Sequence, residues 1–417
     1  MKKILALIMA AAMVLSLAAC GPKDNSSASG SAAGSGAADS DFKVGAVYIN
    51  SQTDTSGYTF QHHSGITKAM ENLGMDPATQ LLIVDKVPDN DHTAVANAID
   101  TLAGQGADII FGISFGYLDA MNEAAEKYPQ IIFSHGTGYM GNETNFNNYF
   151  GRIYQARYLT GVAAGMKSLE MKNNNIGYVA AWNTEYAETC SGINAFALGV
   201  QSVNPEAIVH VNKISTWGDE NMERQAAQAL IDTFGCGVIA QHCDSAQPQL
   251  VAAENNVFGC GYNSDMTEQA AGAHLTAAIW HWDVYYQAAI EGALACNGDA
   301  SKFVENMGGS AYYTGLAEGL VDASPLNEKT AAPNTQAVMD AVRALIVSGE
   351  WDVFSGVKLS YNISDDGKVE IVKTDADLKD NQGNVIVKAG EGSVDDGVIK
   401  GSMNYNVEGV DAPQGKA

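Results

Sequence analysis

The sequence predicts an α/β protein of two doubly wound parallel-sheet lobes with a ligand cleft between them. Three observations predict it. Short apolar runs of strand length alternate with amphipathic helical segments, the pattern of βα units that build parallel sheets. The alternation begins again after residue 151, which implies two similar lobes. In both halves the carboxyl ends of the strands carry aromatic side chains beside acids or amides, and open α/β sheets bind ligands at that end. The 417 residues exceed what one core usually serves. A composition of 46% hydrophobic and 17% charged residues suits globular α/β domains. The net charge of −25 argues against nucleic acid or anionic lipid as partners, because both require basic patches.

In the first half, strands are predicted over residues 43–49, 81–87, 109–113 and 131–133, with a short one over 148–150. Helices are predicted over 58–73, 92–104 and 118–127. The first has Phe60, Ile66, Met70 and Leu73 at helical spacing and stops near Gly74. The polar loop 50–57 lacks the Gly-x-Gly-x-x-Gly phosphate pattern. Phe115 and Tyr117 follow the third strand. In the second half, a helix over 155–169 precedes strands over 176–180, 209–213, 238–240 and 257–262, with helices over 188–203, 220–234 and 249–255 between them. Their strand ends carry Trp182 and Asn183, then Trp217 and Asp219, then Asp244, then Asn263 and Asp265. A strand over 273–279 delivers Trp280, His281, Trp282 and Asp283. Helices over 284–295 and 334–349 and a strand over 312–314 follow. The tail from 355 reads as an irregular β appendage with strands over 358–363, 369–373, 385–388 and 398–400, and with disorder after Val410.

The amino terminus specifies a location. Lys2 and Lys3 precede an apolar run over 4–17 that is short for a membrane span, and Leu17-Ala18-Ala19-Cys20 fits a bacterial lipobox. Residues 1–20 are therefore expected to be a lipoprotein signal peptide, Cys20 the lipidated residue and 21–41 a Ser/Gly/Ala tether. The protein is expected outside the cytoplasm, anchored to the membrane by lipid. Cys190, Cys236, Cys243, Cys260 and Cys296 remain, an odd number without a Cys-x-x-Cys spacing. Buried free thiols are the expectation, with a Cys236–Cys260 or Cys243–Cys260 pair left open.

An enzyme acting on nucleosides is the reading from another class, since Asp219, Asp244 and Asp265 could hold a metal or act as a base. The sequence has no His-x-Glu with Pro-Cys-x-x-Cys and no His-Glu-x-x-His. His242 and Cys243 are adjacent in a strand and point to opposite faces. His62-His63 reads as helix surface and cap. No enzyme, metal or cofactor is expected.

Eight motifs in order carry a resemblance: SFGYLDAM (114–121), FGRIYQARYLTG (150–161), IGYVAA (176–181), GINAFALGVQSVNP (192–205), TWGD (216–219), IAQHCDSAQP (239–248), GYNSDM (261–266) and HLTAAIWHWD (274–283). From about 43 to 410 the chain resembles the basic membrane protein, or PnrA-like, family of ABC-transporter substrate-binding lipoproteins, and within it a branch associated with purine bases. The resemblance implies the type I periplasmic-binding-protein fold with three crossovers, near Gly151-Arg152, near His274-Leu275 and between 315 and 321. The N-terminal lobe would comprise 42–151 plus about 275–317, and the C-terminal lobe 152–274 plus about 318–410. It also implies a base stacked on Trp217, with Tyr58 the reasonable partner from the other lobe. Asn263 and Trp280 stand where nucleoside-binding members have a ribose-holding aspartate and lysine, which favours a free base. The expected site is Tyr58, Phe115, Tyr117, Trp182, Asn183, Trp217, Asp219, Asp244, Asn263, Asp265 and Trp280. Asp244 or Asp265 would accept from an exocyclic amine, and Asn183 or Asn263 would read a ring nitrogen. The partners implied are this small molecule, an ABC permease and, through Cys20, the membrane. A nucleoside or riboflavin-like ligand and a sensory lipoprotein are the alternatives. Cys20→Ser should release the protein from membranes without altering its fold; persistence in the carbonate-washed membrane fraction would contradict the anchor.

Overall fold

The computed structural model describes residues 41–412; the signal peptide, Cys20, nearly all of the tether and residues 413–417 lie outside the described residues. The first lobe is built from β1 (Val44–Val47), α1 (Gly57–Asn72), α2 (Pro77–Gln80), β2 (Leu81–Val84), α3 (His92–Gly104), β3 (Ile109–Gly112), α4 (Leu118–Lys127), β4 (Ile132–Gly136) and β5 (Phe146–Gly151). The second is built from α5 (Ile153–Met171), β6 (Asn175–Ala180), α6 (Ala187–Val203), β7 (Ile208–Lys213), α7 (Glu220–Phe234), β8 (Val238–His242), α8 (Gln247–Glu254), β9 (Phe258–Asn263) and β10 (His274–Trp280). In the first sheet the strands run β2-β1-β3-β4-β5, and in the second β7-β6-β8-β9-β10, so the two lobes repeat one doubly wound order. β1, β3 and β4 are buried along their whole length because helices cover both faces of the sheet, which is why they read as unbroken apolar runs.

The chain then crosses back. α9 (Trp282–Leu294) packs against α1, and after α10 (Phe303–Asn306) β11 (Ala311–Thr314) joins the first sheet in parallel beside β5. β12 (Val321–Ala323) returns to the second sheet, antiparallel to β10, and α11 (Thr335–Val347) packs on α5. The three crossovers therefore lie at Arg152, at His281 and over 315–320. The second corrects the boundary drawn near 275: β10 pairs with β9 from Gly259 to Asn263 and belongs to the second lobe, and the chain leaves only where that strand ends.

Beyond α11 come β13 (Val357–Ile363), β14 (Val369–Asp375), β15 (Leu378–Lys379), β16 (Val385–Val387), α12 (Asp396–Gly401) and β17 (Val410–Asp411). Two expectations are corrected here. Residues 398–400 lie in α12, which Asp395 caps by accepting from the Gly397 N–H at 2.7 Å. Val410 and Asp411 are ordered as an edge strand beside β7. The appendage is tied to the second lobe by Asn194, whose Nδ2 donates to Tyr405 O at 2.7 Å and whose Oδ1 accepts from Val407 N at 3.0 Å.

The α5–α6 crossing holds the second lobe together, and α5 is buried on nearly every side. Gly161 and Gly199 face one another there: a Cβ on Gly199 would collide with the Tyr158 carbonyl, and one on Gly161 with the Phe196 carbonyl. Backbone atoms cannot swing away as a side chain can, so Gly199→Ala should destabilise by about 2 kcal/mol or more. Urea unfolding should show a lower midpoint at unchanged slope; an unchanged midpoint would mean that the helices separate without cost.

Candidate ligand-binding cleft

The loops at the carboxyl ends of the strands bring aromatic side chains from both lobes together. Phe115, in the turn after β3, meets Tyr186 of the second lobe edge-on, with ring centroids 6.4 Å apart. Tyr186 also packs against Trp182 at 5.1 Å and Trp217 at 6.2 Å, and the series runs on through His242, 6.1 Å from Trp217, to Tyr262, 4.7 Å from His242. Tyr139 continues it outward on the first lobe, 6.4 Å from Phe115. Below this series the lobes touch. Gly57 N–H donates to Ser264 Oγ at 3.3 Å, and Gly57 adopts φ +84 against the Asp244 carbonyl, where a side chain has no room. Tyr58, next on α1, donates its hydroxyl to the Ile113 carbonyl. Burial pushes its phenol far up, helped by Tyr149 and by Tyr262, Asp244 and Glu188 from the opposite lobe. Four non-glycine residues in the left-handed region, Lys86, Thr137, Ser215 and Asn263, sit at or just beyond strand carboxyl ends. Strain of that kind gathers at functional sites.

Asp244 and Asn263 form the polar centre. Asn263 is fully buried; its Nδ2 donates to Asp244 Oδ1 at 3.1 Å, and its Oδ1 has no hydrogen-bond partner. Burial pushes the Asp244 carboxyl up to about 8, with the charges of Glu223 and Glu188 adding to the shift and the Asn263 hydrogen bond opposing it. Glu223 is raised as well, chiefly by burial, although Ser245 Oγ donates to it at 2.5 Å. Asp244 thus carries a proton at neutral pH, and the loop is fixed by its own N–H, which donates to the Trp217 carbonyl at 2.9 Å.

A second carboxylate escaped the sequence reading. Glu188, in the first turn of α6, lies 3.0 Å from His242 Nε2. Burial, helped by the charge of Arg157, holds His242 down at about 4, so it is neutral. Arg157 is itself buried, with its guanidinium 3.7 Å from the Tyr262 ring centroid.

Five expected site residues have other work. Tyr117 is packed in the core of the first lobe and donates to Val87 O at 2.7 Å. Asn183 exchanges two amide hydrogen bonds with Asn406 of the appendage, at 3.0 and 2.9 Å. Asp219 caps α7 by accepting from Asn221 N and Met222 N, each at 3.0 Å. Asp265 is exposed and closes a turn, accepting from Thr267 N at 2.9 Å and Thr267 Oγ1 at 2.6 Å. Trp280 is fully buried at the second crossover, stacked on Trp282 with centroids 4.3 Å apart. His62, expected at the surface, is fully buried and stacks on the other face of Trp282 at 4.4 Å. The five cysteines beyond Cys20 are buried free thiols. Cavities of about 330 and 420 Å³ lie elsewhere, one beside His210 and Asp411 and the other beside Arg152 and Asp396. Among the described residues no acid, His and Cys group could hold a metal ion, and no helix is long and apolar enough to cross a membrane.

Two α/β lobes of one strand order, joined by three crossovers and closing over a shared polar and aromatic face, define a solute-binding protein of the two-lobed class. Residues 42–353 match the family of PnrA-like ABC transporter substrate-binding proteins, and the chain belongs to that family. It is a family of binding proteins rather than of enzymes, whose members take a small-molecule ligand and serve a permease. The chain is 32% identical over 378 residues to a purine-binding protein of Brucella abortus, a match covering 91% of this chain and 95% of the relative. It is 39% identical over 252 residues to TsgA13 of Haloferax volcanii, provisionally named an ABC transporter glucose-binding protein, covering 60% of this chain and 59% of that one. Among solved structures, a solute-binding protein of an ABC transporter system from Aeropyrum pernix K1 aligns with a TM-score of 0.60 at 15% identity, covering 78% of this chain and 95% of that one. A transcriptional activator of the comK gene from Bacillus halodurans aligns at 0.58 and 16%, covering 74% and 99%. These two establish the fold.

The raised Asp244 has a pH signature. Unfolded, its carboxyl titrates near 4; folded, it holds its proton up to about 8. Between those values the folded state binds the extra proton, so stability falls as pH rises through this window. Asp244→Asn removes that group, and its melting temperature relative to the parent should improve from pH 5 to pH 9. A constant difference across that range would place the ionised carboxylate in water.

Proposed function

We propose that the protein is a lipid-anchored, extracytoplasmic receptor of an ABC importer, binding a purine base or related flat heterocycle between its lobes and delivering it to the permease. The observation that carries this reading is the aromatic series from Phe115 through Tyr186 to Trp182 and Trp217, lying over the Asp244–Asn263 pair. Broad faces suit a planar ring, each stacked pair adding about 0.5–1.5 kcal/mol beyond burial. The amide and the protonated carboxyl suit the donors and acceptors on its edge. The Brucella relative bears a purine-binding name and aligns along nearly the whole chain, which supports the same ligand class here. Anchorage rests on the Leu17–Cys20 motif.

A free base is favoured over a nucleoside. Trp280 is fully buried, enclosed by Trp282 and Phe150, and offers a ribose hydroxyl no partner, and the Asn263 Nδ2 is already spent on Asp244. A ribose would bury hydroxyls without full pairing, at about 1–3 kcal/mol for each one unsatisfied. Two such groups would weaken binding about 30-fold or more. The provisional glucose-binding name of TsgA13 makes a sugar the reading to exclude.

Calorimetry with adenine, hypoxanthine, guanine, their nucleosides and glucose should rank the free bases first. Trp217→Ala should weaken all of them. Adenosine binding as tightly as adenine would overturn the preference for a base, and tight binding of glucose alone would overturn the purine reading.

A further inference from the structure

Glu188 is the carboxylate whose surroundings the binding of a flat ring leaves unexplained. It sits in the first turn of a 17-residue helix, where the helix dipole favours an anion. Its side chain is 20% exposed, whereas the histidine it pairs with is completely enclosed. Its charge acts on Asp244 and Tyr262 of its own lobe and on Tyr58 of the other, so it lies close to where the lobes meet.

What lies behind it is built to fix one oxygen. A neutral imidazole donates from one nitrogen and accepts at the other. His242 Nδ1 is 3.4 Å from the Tyr178 hydroxyl, and burial keeps that phenol protonated, so the hydroxyl donates to Nδ1 and the ring proton lies on Nε2. Nε2–H then points at Glu188 Oε1, 3.0 Å away. Arg157 closes the group from below: Nη1 donates to Gln241 O at 2.5 Å, while Nε and Nη2 are buried without hydrogen-bond partners. A buried cation left so incompletely paired is costly, and its position beneath Tyr262 and His242 gives the charge a use, because it disfavours imidazolium and so preserves the tautomer that orients the acid. His242 engages Oε1, and no hydrogen bond among the described residues ties Oε2, on a side chain that keeps 20% of its surface exposed.

We propose that Glu188 is a specificity-determining acceptor of this cleft, its free oxygen receiving a hydrogen bond from an N–H of the bound heterocycle, with His242, Tyr178 and Arg157 as the positioning residues behind it. This rests on the reading of the cleft as the ligand site. It also narrows the ligand. An edge offered to Glu188 must carry an N–H, which is the chemistry of an aminopurine or another amidine-like heterocycle.

The test is a cycle of variants against ligands. Glu188→Gln keeps the shape and removes the charge, and should weaken adenine by about 10- to 100-fold, the range for a hydrogen bond to a charged group. The loss should shrink to near nothing for whichever analogue lacks the donor that Glu188 receives, 9-methyladenine or 6-dimethylaminopurine. His242→Phe, which cannot orient the acid, should repeat that ligand pattern with a smaller loss, and Glu188→Asp should recover part of the affinity. Unchanged adenine affinity in Glu188→Gln, or equal loss for every analogue, would overturn the proposal. Native mass spectrometry of the freshly purified proteins separates the two readings. If the parent carries a molecule that is not a purine, the purine reading fails, and Glu188 is then judged by that molecule: its loss from Glu188→Gln supports the role and its retention refutes it. A parent that carries nothing and binds no adenine sinks both.

Discussion

Everything in this fold that concerns a ligand depends on a stack of three rings at the second crossover. Trp282 is held between Trp280, 4.3 Å away at an interplanar angle of 11°, and His62, 4.4 Å away at 17°. Trp280 ends a strand of the second lobe, Trp282 opens the helix that returns to the first, and His62 belongs to α1 of the first. The alternation in Trp280-His281-Trp282 sets both indoles on one side of an extended segment, which is what lets them stack. Gly65 completes the fit: a Cβ there would lie 2.6 Å from that of Trp282. His62 Nδ1 pairs with the Tyr286 hydroxyl at 2.6 Å, and Gln61 Nε2 donates to the Trp280 carbonyl at 2.5 Å. Two lobes can share a cleft only if the joint between them is stiff in all but one direction, and this packed joint supplies that stiffness.

Around the joint the electrostatics are arranged by burial more than by pairing. The chain carries a net charge of −25, yet the acids nearest the cleft are not simply repelled into water. Asp244 is neutralised by its own proton, whereas Glu188 is oriented by a histidine that burial and Arg157 keep neutral. The same scarcity of water that raises one carboxyl lowers the imidazole, because each loses most in its charged form. The result is one protonated carboxyl and one carboxylate oriented by a neutral imidazole, both near the meeting of the lobes.

The fold was legible because it is written in periodicity. The helix over 220–234 has the bounds expected of it, since its apolar residues recur at helical spacing and Gly235 ends it in the left-handed conformation. Residues 398–400 misled because three residues carry no period, and the cap at Asp395 was the better signal. The site was harder to read. An aspartate that follows a strand and opens a helix serves equally as N-cap or ligand contact, and only coordinates separate Asp219 from Asp244. Tyr117 and Asn183 stand at strand ends like their neighbours, but one is packed in the core against Val87 and the other is paired with Asn406, 223 positions away. Glu188 read as the ordinary acid of a first helical turn; nothing local in the chain announces His242, 54 positions away.

The appendage bears on how the two lobes can move. Arg152, the whole of the first crossover, donates its backbone N–H to Thr314 O at 2.7 Å and forks its guanidinium onto Asp396 of α12. Lys400 of the same helix lies 4.7 Å above the ring of Tyr313 in β11, the strand that leads into the third crossover. Both contacts sit on the crossover side, away from Phe115 and Tyr186. A hinge concentrates its change of angle in a few residues, so opening would part Gly57 from Ser264 and Phe115 from Tyr186 while the crossover side stays nearly fixed. The ligand's share of the work is then defined. It favours the closed form only through contacts that exist when both walls are present, and the groups proposed to meet this condition are Tyr58 on one side and Trp217, Asp244 and Glu188 on the other.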